Sequence, residues 1–66
     1  MTRKDIILKG ETQLDYLYAQ MIKCDSELGK AGWAKSGVDQ LEMLSYLLDE
    51  KYDKYSEWFD KFSQYV

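Results

Sequence analysis

Seven carboxylates crowd the stretch from Asp39 to Asp60, while the chain holds one cysteine, Cys24, and no histidine. Those residue types set narrow limits on chemistry. Nucleophilic catalysis needs a hydroxyl or thiol beside a base, so the absence of histidine removes the Ser-His and Cys-His pairs. One thiolate without histidine does not complete a tetrahedral zinc shell, and a lone cysteine forms no disulfide within its own chain. Cys24 falls on an apolar 3-4 repeat, where it serves as a small hydrophobic residue. Acidic pairs such as Asp49 with Asp53, and Asp53 with Glu57, stand at helical spacing on a convex side, where water screens them from one another. A calcium loop is excluded over Asp49–Asp60, because Lys51 and Lys54 occupy a ligand position and the position of the required glycine. No glycine-rich phosphate cradle, Cys-x-x-Cys pair or nucleophile elbow occurs. The expectation is a protein that is not an enzyme, with no catalytic residue, cofactor or metal.

Charge narrows the range of partners. The net charge is −3, distributed as +1 over residues 1–38 and −4 over residues 39–66. Phosphate backbones call for a basic face, so direct nucleic-acid binding is not expected. Taken on one rod, Glu42, Asp49, Asp53, Glu57 and Asp60 form an acidic ridge. A ridge of that kind imitates a nucleic-acid backbone, as in the small inhibitor proteins of phages and mobile elements. The lone cysteine and a charged N-terminus (Arg3, Lys4, Asp5, Lys9) favour a cytoplasmic protein, and no apolar run approaches membrane-spanning length.

The elements that would hold these residues are helical. Thr2-x-x-Asp5, Thr12-x-x-Asp15 and Ser36-x-x-Asp39 each read as a helix start, and Gly10, Gly29 and Gly32 as helix stops. The spacing predicts a short N-terminal helix over about 3–9, a second over about 13–28, a loop at 29–36, and a long third helix over about 37–65. Leu14, Leu17, Met21, Cys24 and Leu28 supply the packing seam of the second segment. Ile7 sits one heptad earlier, so a single helix over 3–28 with Gly10 inside it stays open, at a cost of roughly 1 kcal/mol. From Leu41 to Val66 there is no glycine or proline, and Leu41, Leu44, Leu47, Leu48, Tyr52, Tyr55, Trp58, Phe59, Phe62, Tyr65 and Val66 fall within an arc of roughly 140° at 100° per residue. The fold class is therefore all-α, an antiparallel helical hairpin with a short N-terminal segment, in a single small domain.

Helix lengths turn this fold into a functional expectation. At 1.5 Å per residue the third helix is roughly 42 Å long and the second roughly 24 Å, so the aromatic end of the third lies uncovered. Leu47, Tyr55, Trp58, Phe62 and Tyr65 become the candidate partner-binding residues. A homodimer, pairing the aromatic halves of two long helices, is the favoured assembly. The leading reading is a small protein-binding regulator, inhibitor or assembly factor that docks an aromatic helical face on another protein. The acidic nucleic-acid mimic and a self-assembling structural subunit are the alternatives. Isolated tyrosines on polar faces, Tyr16 and Tyr46, carry no assignment.

Overall fold

The computed structural model describes residues 2–65, so Val66, counted on the apolar arc, lies outside the described residues. Three helices follow in order: α1 (Arg3–Lys23), α2 (Glu27–Leu47) and α3 (Tyr55–Ser63). The described residues are 80% helical and contain no strand. Helices α1 and α2 pack as a hairpin, and α3 folds back along one side of it. The molecule measures 38 × 16 × 14 Å along its principal axes.

The all-α hairpin stands, but its segments differ from those the sequence predicts. Thr2 does start α1 with a full capping box: its hydroxyl accepts from the Asp5 amide, and the Asp5 carboxylate accepts from the Thr2 amide. Thr12 is no cap, because its hydroxyl donates to the Leu8 carbonyl one turn back, inside an unbroken helix. The predicted helices over 3–9 and 13–28 are thus one helix, which ends at Lys23. The predicted loop at 29–36 lies inside α2. Its N-cap is Ser26, whose hydroxyl accepts from the Gly29 amide at 2.8 Å, so the hairpin turns on Cys24–Ser26. Lys30 closes the other side of that turn by donating to the Met21 and Ile22 carbonyls at the end of α1.

Two of the glycines mark close approaches within helices. A Cβ on Gly10 would stand 2.6 Å from a Leu44 methyl, so α1 and α2 come together there without a side chain between them. A Cβ on Gly37 would stand 2.3 Å from the Phe62 ring, which uses the vacant space as its seat. Packing outweighs the helix penalty at both positions.

The long helix predicted over 37–65 breaks at residues 48–54. Its stop is a Schellman motif, with the Glu50 amide donating to Ser45 O at 2.7 Å and the Asp49 amide to Tyr46 O at 3.1 Å. Asp49 and Glu50 both take positive φ, 54° and 62°, at positions where glycine is customary. Arg3 donates to the carbonyls of Leu48 and Lys51, and the Tyr52 hydroxyl donates to Glu11 at 2.5 Å. Contacts from α1 therefore hold the turn. The short helix lies at the C-terminus instead of the N-terminus.

One contiguous core results. Leu14 and Met21 of α1, Ala34, Leu41 and Leu44 of α2, Leu48 and Tyr52 of the turn, and Trp58 and Phe62 of α3 are its buried members. Ile7 and Leu17 pack against it from the predicted seam, but Cys24 belongs to the turn and Leu28 is exposed at the start of α2.

A candidate protein-interaction face

The aromatic end of the chain is core for the hairpin. Phe62 is fully buried and Trp58 is 8% exposed. Their rings stack at 5.9 Å, and Tyr18 of α1 meets both edge-on, at 6.5 Å from Trp58 and 6.0 Å from Phe62. Lys61 covers this cluster with its ammonium 4.6 Å from the Trp58 ring, and Lys30 lies over Tyr65. The length mismatch behind the interface assignment disappears once α3 folds back: Trp58 and Phe62 face the hairpin, and no free surface holds them. Tyr55 and Tyr65 are half-buried at its margin, with Tyr55 stacked on Phe59 at 6.0 Å. Ile6 and Ile7 pack against the same core, and Leu8 is exposed.

The break also divides the acidic ridge. Glu42 lies on α2, Asp49 and Asp53 in the turn, and Glu57 and Asp60 on α3. All five are exposed, and the helix that would line them up as one rod is absent. Glu42 contributes instead to a shallow groove with Tyr46, Glu50 and Tyr55.

Of the candidate partner residues, Leu47 is the one left open, at 58% exposure, and it belongs to a different face. Helical register puts Gln13, Tyr16 and Leu17 of α1 on the same side as Trp33, Gln40, Met43 and Leu47 of α2, opposite the side that α3 covers. Ile6, Gly10, Gln13, Gln40, Leu44 and Leu47 line a groove of about 160 Å³ along this side, with Lys9 at its edge. Tyr16 and Trp33 meet edge-on at 6.4 Å farther along, and Tyr16 and Met43 are 58% and 59% exposed. Among the described residues, Lys9 is the one charged residue lining the groove, and no carboxylate does. The sequence hides this face, because the glycines at 29 and 32 place Trp33 in a loop and Tyr16 stands alone on a polar face. The usable signal was the helical spacing of Trp33, Gln40 and Leu47, once 29–36 is taken as helix.

Groups with possible chemistry are spread out. Cys24 caps α1, with its thiol directed at the Ser26 carbonyl. Among the described residues no group of three His, Cys, Asp or Glu side chains is arranged to hold a metal ion, and no helix is long and apolar enough to cross a membrane. Burial raises the pKa of the Tyr52 phenol, and the Glu11 carboxylate that accepts its hydrogen bond raises it further. Lys54 stands 3.9 Å from the same carboxylate, so Glu11 ties α1 to the turn.

Comparison with protein-family models, with curated proteins and with solved structures finds no match.

Proposed function

We propose that the protein is a non-catalytic binding protein, a regulator or assembly factor that docks another protein on the α1–α2 face opposite α3. One observation carries this reading: a groove without a carboxylate, extended by Tyr16, Trp33, Met43 and Leu47, in a chain of net charge −3. Tyrosine, tryptophan and methionine are the residue types that interface cores favour, and charge is depleted there. The polar groups on this face are amides, Gln13 and Gln40, which form hydrogen bonds across an interface without the desolvation cost of an ion. Rejection of an enzyme rests on the residue inventory, which lacks histidine and places its one thiol at a helix cap.

Affinity capture from the native host tests the proposal. Met43→Asp with Leu47→Asp introduces two charges into the face at exposed positions, so the fold should persist while capture of the partner is lost. Glu57→Lys, on the exposed side of α3, should leave capture intact. If the Glu57 and Asp53 reversals abolish capture while the Met43 and Leu47 changes leave it untouched, the acidic mimic replaces this reading.

A further inference from the structure

We infer that the chain dimerises by exchanging α3: the turn at 48–54 straightens, α2 and α3 become one helix, and its aromatic end settles on the hairpin of a second copy. The pattern of the sequence and the form of the turn support this. The sequence from Leu41 to Val66 has no helix breaker, and the residues buried in the folded-back form lie on one stripe of a straight helix. Leu41, Leu44, Leu48, Tyr52, Trp58 and Phe62 span roughly 120° at 100° per residue. The same side chains therefore face the core whether the turn is bent or straight.

The bent form rests on weak local signals. Asp49 and Glu50 hold positive φ without being glycine, a conformation that side chains with a Cβ disfavour. Helix α3 has no side-chain cap at Lys54, and its nine residues are too few for an isolated helix. Straightening removes the backbone strain and replaces the Arg3 contacts to the Leu48 and Lys51 carbonyls with helical hydrogen bonds.

Geometry then calls for a second copy. A straight helix carries residues 48–65 about 26 Å beyond the end of its own hairpin, out of reach of Gly37 and Tyr18. A two-fold partner offers the identical seat: Phe62 on Gly37, with Trp58 and Phe62 against Tyr18. Every contact between α3 and the hairpin is remade between copies, the condition under which exchange is a low-cost route to a dimer. The face proposed for partner binding lies on the other side and stays free.

Sedimentation combined with a distance measurement tests the exchange. In a Cys24→Ser background, spin labels on Asp39→Cys and Asp60→Cys report on one chain when diluted into unlabelled protein. Bent, the labels lie side by side on neighbouring helices, about 10–15 Å apart; straight, they are separated by about 32 Å. The dimer should show the long distance, in proportion to the dimer fraction. Glu50→Gly relaxes the bent turn and weakens the straight helix in both copies, so it should raise the dimer dissociation constant about a hundredfold. Asp49→Ala acts oppositely and should lower it about tenfold. Monomer alone at ~1 mM in both the parent and the Asp49→Ala variant overturns the proposal. A dimer that keeps only the short distance, or one indifferent to Glu50→Gly, overturns it equally.

Discussion

Gly37→Ala probes the seat of α3 directly. In an exposed helix this change would stabilise by about 1 kcal/mol, because glycine is the poorer helix former. Here the added Cβ would lie 2.3, 2.4 and 2.6 Å from three carbons of the Phe62 ring. Ordinary contact begins near 3.4 Å, so the ring must retreat by about an ångström from the closest approach. Retreat is obstructed, since Tyr18 and Trp58 stand 6.0 and 5.9 Å away, centre to centre. Overpacking of this kind costs about 1–3 kcal/mol, and at a ring so enclosed the upper half of that range applies. Set against the helix gain, the net loss is about 1–2 kcal/mol, which lowers Tm by roughly 4–15 °C in a domain of this size. Gly32→Ala supplies the control, because a Cβ there meets nothing within 4 Å, and it should stabilise by about 1 kcal/mol. Urea unfolding followed by helical circular dichroism compares the two. Phe62→Leu in the Gly37→Ala background should recover part of the loss relative to additivity. If Gly37→Ala proves as stable as Gly32→Ala, α3 does not sit where this account places it.

Other perturbations reach the same arrangement from different sides. Trp58→Ala should destabilise the free chain by about 3–5 kcal/mol, read from denaturant unfolding without any partner, because the indole is core. Arg3→Ala should cost about 1 kcal/mol and speed amide exchange at residues 48–52, since the Leu48 and Lys51 carbonyls lose their donor. Tyr52→Phe should cost about 1 kcal/mol at neutral pH through loss of the hydrogen bond to Glu11. The folded-state pKa of Tyr52 is raised, so its contribution is complete below the ordinary tyrosine value of about 10 and declines as pH rises towards the folded value. The stability gap between parent and Tyr52→Phe should accordingly narrow above about pH 10, as equilibrium unfolding across that range will show.

The sequence disclosed the helical class and the first helix start, because both depend on neighbouring residues. Thr2 and Asp5 stand three apart and complete the box by themselves. Glycines misled at Gly10, Gly29 and Gly32, where a stop signal and a packing or helix-interior residue look alike in one dimension. Gly10 gives space to Leu44, thirty-four positions away, and no local pattern reveals that. Ser36 has the better capping pattern, yet Ser26 caps α2 with a glycine at the third helical position. The break at 48–54 was hidden for a related reason. It lacks glycine and proline, and the groups that hold it, Arg3 and Glu11, come from the far end of the chain. Misplacing that break misplaced the candidate site, since a straight helix exposes Trp58 and Phe62 whereas a bent one buries them.

The C-terminal aromatics are core for the hairpin and not a surface held in reserve. Deletion of residues 55–66, followed by circular dichroism and hydrogen exchange on the remaining chain, tests it most directly. The deletion removes Trp58 and Phe62, each a buried aromatic worth about 3–5 kcal/mol, from a domain with only a few kcal/mol of net stability. Loss of helicity and of amide protection throughout α1 and α2 is the expected result. A truncated chain that keeps a protected helical hairpin over residues 3–47 would contradict it, and would return the aromatic end to the role of a binding surface.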